Sequence, residues 1–372
     1  MNMAKTTQNP LIETVKLGQS LWYDGLISRE EFERMIREDG LRGATTNPVI
    51  FEKALASGQV DAKVRELGKT LKDEDIYKSL AVEAVQEVAD VFLPVYQRTQ
   101  GHDGFVSIEV SPLLAYDTEA TIVEARELHK KVARPNVMIK IPATAAGIPA
   151  IETVISEGIN VNITLIFSVA RYREVMEAYL SGLEARHDRG QSIKEVASVA
   201  SFFVSRVDTA VDKILEEKIV SAKDEMQKAL FKALLGQAAI ANSKVAYAEF
   251  EELFAEDRFR ALKSLGAQLQ RPLWASTGVK NPAYRDVLYV ESLIGPNTVN
   301  TIPPPTLDAF RDHGQVSETL IEGLDEAKKT LEKLAFAGIA LSEVTEALEK
   351  AGVELFNEAY LKIIKRIQEK RI

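Results

Sequence analysis

The chain has 372 residues, 46% of them hydrophobic, and a formal net charge of −9. Such a composition supports a large core and argues against a nucleic-acid partner, whose phosphates would call for a basic surface. There is no cysteine, which excludes disulfides, thiol nucleophiles and cysteine metal clusters.

Residues 1–10 lack the apolar core of a signal peptide, and no apolar run approaches bilayer length, so a cytoplasmic protein without a membrane role is expected. Residues 11–20 read as a helix leading into a short strand, Leu21-Trp22-Tyr23-Asp24, that ends on an acid. Ser28 caps a charged helix over residues 29–39, with Glu31 as its capping-box partner and Gly40 as its stop. Gly43-Ala44-Thr45-Thr46-Asn47 is the second strand, closed by Pro48. Residues 50–100 read as helical, with an apolar stripe at Ile76, Leu80, Val85 and Val88.

Phe105-Val106-Ser107-Ile108-Glu109-Val110 is the third strand, and a helix over 118–132 follows it. The fourth strand lies in Asn136-Val137-Met138-Ile139-Lys140-Ile141-Pro142-Ala143-Thr144, where Pro142 cannot donate to a sheet ladder. A helix over 148–157 leads to a fifth strand over 160–166, and Ser168 caps a helix over 169–186. The sixth strand spans 199–205, and residues 207–268 form a long helical excursion. Strands over 272–277 and 298–302 flank a helix near 283–293; everything beyond Pro305 reads as helical, ending in an amphipathic segment over 341–367.

Eight short strands alternating with helices predict a parallel sheet closed into a (β/α)₈ TIM barrel with additional helices. No linker or repeat divides the chain. A single domain over 1–372 is expected, with helical insertions at about 57–100 and 207–268 and a C-terminal helical segment.

Fully buried parallel strands are expected to be nearly continuous in Val, Ile and Leu. Here one face breaks the rule: Asp24 shares parity with Trp22, Asn47 with Thr45, Glu109 with Ser107, Lys140 with Met138, and Asn162 with Asn160 and Thr164. Ser201 and Phe203 share a face of the sixth strand. These groups fall near strand C-terminal ends, where barrels carry their active sites. Each has a structural alternative. Lys140 could snorkel out of the strand end, Asp24 could cap the turn before Gly25, Glu109 could pair with a nearby base, and Asn162 or Thr164 could satisfy strand-end carbonyls. Their convergence favours a site.

The set suits class I aldol chemistry. A buried lysine amine adds to a ketone, the imine serves as electron sink, and two acids manage the proton transfers. Lys140 is the nucleophile, with Asp24 and Glu109 as acid/base candidates. Burial favours the neutral amine while the two carboxylates favour the ammonium, and the sequence leaves that balance open. Arg206 and Lys280 are candidate phosphate contacts, with a surface role as the alternative for both.

Taken together, Thr45-Thr46-Asn47-Pro48, Val106-Ser107-Ile108-Glu109-Val110, Ile139-Lys140-Ile141-Pro142-Ala143-Thr144, Asn162-Ile163-Thr164-Leu165-Ile166-Phe167-Ser168 and Trp274-Ala275-Ser276-Thr277 resemble the transaldolases over nearly the whole chain. The resemblance implies transfer of a dihydroxyacetone unit between sedoheptulose 7-phosphate or fructose 6-phosphate and an aldose phosphate (glyceraldehyde 3-phosphate or erythrose 4-phosphate). That reaction belongs to the non-oxidative pentose phosphate pathway and uses neither metal nor organic cofactor. The resemblance further implies that Lys140 forms the Schiff base, that Asp24 is the acid/base at the fourth-carbon hydroxyl, and that Glu109 works through a water held with Thr164. Asn47 and Asn162 would bind the dihydroxyacetone hydroxyls, with Ser201, Phe203, Arg206 and Lys280 around the rest of the substrate and its phosphate. Lys280 departs from the pattern, since relatives often carry arginine there. A homo-oligomer is compatible with the sequence.

The nearest alternative resembles fructose 6-phosphate aldolase, which releases free dihydroxyacetone. Those proteins are much shorter and tend to have glutamine and tyrosine where this chain has Glu109 and Phe203. A non-catalytic sugar-phosphate-binding barrel would keep Arg206 but has no need of Lys140 with both acids. A zinc aldolase is disfavoured because His102, His129, His187 and His313 are scattered. Gly68-Lys69-Thr70 lacks the preceding glycine of a phosphate loop, and Asn162-Ile163-Thr164 fits a glycosylation triplet only inside an expected buried strand.

Overall fold

In the computed structural model, residues 9–56, 58 and 60–371 are described; the first eight residues of the N-terminal stretch considered above lie outside them. The strands are β1 (Gln19–Asp24), β2 (Gly43–Thr45), β3 (Phe105–Glu109), β4 (Val137–Pro142), β5 (Val161–Ile166), β6 (Ser198–Phe203), β7 (Arg271–Ala275) and β8 (Thr298–Ile302). All pairs are parallel and sequential, and β8 pairs back onto β1, closing the (β/α)₈ TIM barrel. Closure removes both sheet edges, so every strand can be short and buried.

The two strand faces divide as their parity requires. Outward residues pack under the helices: Phe202 sits edge-on to Tyr172 at 5.9 Å and to Trp274 at 6.1 Å, and Tyr23 edge-on to Phe32 at 5.7 Å. Inward residues fill the lumen. Gly43 is where it is because Trp22 projects inward beside it; a Cβ there would lie 2.8 Å from the indole and 2.7 Å from the Phe105 carbonyl oxygen.

The floor of the barrel is polar. Asp103, fully buried just before β3, takes Nη2 of Arg271 at 3.0 Å, the Ser20 hydroxyl at 2.7 Å and Nη1 of Arg42 at 3.2 Å. Burial pushes its carboxyl up, but the Arg271 charge and the Ser20 and Arg271 hydrogen bonds outweigh this and hold it below the usual range. Its share of stability is therefore present at neutral pH and lost as pH falls through that depressed value.

The helices depart from the sequence expectation in four places. Residues 50–100 form three helices rather than one run, Pro48–Ala56, Asp61–Leu67 and Asp73–Arg98, because Gly58 sits at φ +80° in the first break and the chain turns again after Gly68. The excursion at 207–268 is four helices, the first of which, Ser205–Ser221, starts directly at the end of β6. The helix expected near 283–293 is only Leu288–Ser292, so residues 276–287 form an irregular loop. Beyond Pro305 the chain is not uniformly helical; Pro304–His313, Leu324–Phe336 and Leu341–Lys370 are separated by breaks that contain Gly323 and Gly338 at positive φ.

The last of these, the 30-residue helix Leu341–Lys370, packs against the helix Pro48–Ala56 and reaches β5. Its Gly352 lies over the side chain of Leu165, where an added Cβ would come within 2.9 Å of Cδ2. Leu165 adopts φ +59°, and the β5–β6 register shifts there. Among the described residues, no helix is long and apolar enough to cross a membrane.

Candidate active site

Parallel partners in register put their side chains next to one another on the same face. Glu109 of β3 pairs with Lys140 of β4, and Lys140 with Asn162 of β5. Lys140 therefore points into the lumen and does not snorkel outward. Its Nζ donates to the Thr46 carbonyl at 3.0 Å and lies 3.8 Å from Oε2 of Glu109, with the two side chains only 7% and 5% exposed. Glu109 is pushed up to about 7 by burial and by the Asp24 charge, which together exceed the opposing pull of Lys140.

Asp24, at the end of β1, is opposite Thr45 of β2. Thr301 of β8 donates to the Thr45 hydroxyl at 2.6 Å, and Thr45 donates on to Oδ1 of Asp24 at 2.9 Å, since Thr45 has one proton to give. Asp24 does not cap the following turn; the Gly25 N–H goes to the Thr45 carbonyl. Burial raises its carboxyl above the usual range, against the charges of Lys140, Lys280 and Lys53 and the Thr45 hydrogen bond.

Asn162 is fully buried and gripped on both sides. Its Nδ2 donates to the Ser107 hydroxyl at 3.0 Å, and its Oδ1 accepts from Ser201 at 2.6 Å. Thr164 is also fully buried; its hydroxyl and Oε2 of Glu109 have no hydrogen-bond partner among the described residues. Two such oxygens are costly unless something polar from outside the chain meets them. Asn47 has a double position: its Oδ1 accepts the Ile50 N–H at 3.1 Å as a helix cap, which leaves the amide Nδ2 uncommitted to that bond.

Arg206, at the start of the helix Ser205–Ser221, lies over the Phe203 ring with 5.7 Å to the centroid, and Phe203 rests on Phe167 at 5.1 Å. Phe203 is thus the platform for the guanidinium. Lys280 stands at the exposed rim, in the irregular loop after β7, near enough to Arg206 and Asp24 for their charges to act on it.

The barrel thus brings together Lys140, Glu109, Asp24, Asn162, Ser201 and Thr164, with Asn47 and Arg206 at the mouth and Lys280 on its edge. Sequence reading missed the supporting hydroxyls of Thr45, Thr301 and Ser107, and the third cation Lys53. Parity already put Thr45 and Ser107 on the polar face, but partner choice needs the closed barrel.

A family model described as Transaldolase/Fructose-6-phosphate aldolase matches residues 21–367. The chain belongs to this transaldolase/fructose-6-phosphate aldolase family. The resemblance drawn from the strand motifs holds over nearly its whole length. Full-length relatives agree: the chain is 46% identical over 370 residues to a protein of Trichodesmium erythraeum (strain IMS101) named transaldolase, covering 97% of each. It is 48% identical over 370 residues to a transaldolase of Mycolicibacterium smegmatis, again with 97% of each chain covered. A transaldolase of Saccharopolyspora erythraea is 46% identical over 371 residues and 98% of each chain.

Proposed function

We propose that the protein is a transaldolase acting in the non-oxidative pentose phosphate pathway. It would move a dihydroxyacetone unit from sedoheptulose 7-phosphate or fructose 6-phosphate to erythrose 4-phosphate or glyceraldehyde 3-phosphate. The observation that carries this reading is a buried lysine amine in the lumen, beside one carboxylate in register and within charge range of a second.

The Lys140 amine adds to the C2 carbonyl of the ketose, and the carbinolamine loses water to give the imine. Asp24 takes the proton from the C4 hydroxyl; the C3–C4 bond breaks, its electrons pass into the iminium as an enamine, and an aldose phosphate leaves. An incoming aldehyde is attacked by the enamine carbon, with Asp24 returning the proton, and water then hydrolyses the new imine. The imine is the electron sink, so the reaction calls for no metal or organic cofactor. Glu109 and Thr164, with their two unpartnered oxygens, suit the holding of the water that is lost and regained. Asn162, fixed by Ser107 and Ser201, and the Asn47 amide, whose Nδ2 takes no part in the helix cap, suit the dihydroxyacetone hydroxyls. Arg206 and Lys280 suit the phosphate. The enzyme would work in the cytoplasm.

Turnover of fructose 6-phosphate with and without erythrose 4-phosphate tests this. Turnover that requires the acceptor is expected, whereas rapid release of free dihydroxyacetone without it would make the enzyme an aldolase.

The water-handling role has its own pH signature. With its carboxyl pushed up to about 7, Glu109 becomes increasingly able to take a proton from water as pH rises through that value. Imine formation should therefore slow as pH drops through about 7, and Glu109→Gln should lower the rate by roughly 10²-fold or more while abolishing this acid limb. A pH–rate profile in which Glu109→Gln keeps the limb would assign the ionisation elsewhere.

A further inference from the structure

The loop at 276–287 brings Lys280 to the mouth without regular structure to hold it, and Ser276 at its start adopts φ +58°, rare for a residue with a Cβ. Its two ends are packed, with Thr277 and Val287 buried, but its middle borders open space. A cavity of about 210 Å³ lies between Lys280, Asn281 and Tyr284 on one side and Asp208, Asp212 and Glu216 of the helix Ser205–Ser221 on the other. What spans the gap is a small set of hydrogen bonds. Ser205 donates its N–H to the Ser276 carbonyl at 3.1 Å. The Tyr284 hydroxyl donates to Oδ2 of Asp212 at 2.7 Å, and the Tyr289 hydroxyl to Oδ2 of Asp208 at 2.8 Å.

Both acids are themselves immobilised. Oδ1 of Asp212 accepts the Gly236 N–H at 2.9 Å, and Oδ1 of Asp208 the Ala239 N–H at 2.7 Å. Four residues apart, they lie on one face of the helix whose first turn carries Arg206. The same helix thus fixes one cation directly and the other through two phenols. Lys280 and Arg206 repel each other, and among the described residues neither has a carboxylate within ion-pair distance. Two cations held near one mouth without carboxylate partners are suited to an anion that both can meet.

We propose that Tyr284 and Tyr289, acting through Asp212 and Asp208, are positioning residues that set Lys280 against Arg206 and so give the enzyme its preference for phosphorylated over unphosphorylated sugars. This rests on the reading of Arg206 and Lys280 as the phosphate contacts.

The test uses full-length Tyr284→Phe, Tyr289→Phe and Lys280→Met, and each tyrosine variant combined with Lys280→Met. Each phenylalanine keeps the ring and deletes one hydrogen bond to a charged group. KM for fructose 6-phosphate should rise by roughly tenfold with kcat little changed. Borohydride trapping of the imine from dihydroxyacetone, which carries no phosphate, should proceed at the wild-type rate. In the Lys280→Met background the tyrosine changes should add nothing, a non-additivity that general loosening of the fold would not produce. Unchanged KM in both tyrosine variants, or an equal rise with and without Lys280, overturns the inference alone, provided Lys280→Met itself raises KM. If Lys280→Met leaves KM unmoved, the phosphate role of Lys280 fails and takes this inference with it.

Discussion

Borohydride added with fructose 6-phosphate is expected to attach the sugar irreversibly to Lys140 and to no other lysine. The reason is geometric: its amine sits in the lumen, 3.0 Å from one carbonyl and 3.8 Å from one carboxylate, where a ketose carbonyl entering from the mouth would meet it. Lys140→Met keeps most of the side-chain volume and removes the nucleophile, so the lumen stays filled while the covalent step is lost. Turnover should drop by on the order of 10⁴–10⁶-fold, the scale seen when an enzyme loses its nucleophile. Peptide mapping of the reduced adduct is the direct measurement. Label retained in Lys140→Met would move the Schiff base to another lysine and remove the basis of the proposed mechanism.

The second large effect separates bond cleavage from imine formation. Asp24→Asn preserves shape and can still accept the Thr45 hydrogen bond, but it cannot take the C4 hydroxyl proton. Fructose 6-phosphate turnover should fall by roughly 10²–10⁴-fold, the usual contribution of a positioned acid/base. Dihydroxyacetone has no bond to cleave, and its imine should still be trapped on Lys140. A variant with near-normal turnover would make Asp24 a structural residue, held by Thr45 for the sake of the β1–β2 junction. The opposing electrostatics bear on this. Burial lifts the Asp24 carboxyl above the usual range, while the charges of Lys140, Lys280 and Lys53 pull against that rise.

The eight strands were legible because each is a short apolar run broken by turn residues, and this signal is local. The polar face was legible for the same reason: Asp24, Glu109, Lys140 and Asn162 recur on one parity near strand ends, and closure brings those ends together. Helix boundaries were less so. The segment 50–100 carries helical propensity throughout, and only the backbone at Gly58 and the turn after Gly68 divide it. The loop after β7 was read as partly helical because its tie to another helix, through tyrosines paired with acids 72 and 81 residues away, leaves no local pattern.

Sequence by itself determined the barrel, the family and the polar strand face that carries a lysine with two acids, because periodicity and motif spacing survive without knowledge of long-range contacts. Tertiary structure decided the partners. Asp103 and Arg271 meet across 168 residues to form the floor, Asn47 turned out to cap a helix, and Thr301 supports Asp24 only because the last strand closes on the first. A hydrogen bond depends on where two atoms end up to within a few tenths of an ångström, and that is settled by sheet closure and by backbone conformations such as those of Leu165 and Ser276, which no residue preference announces.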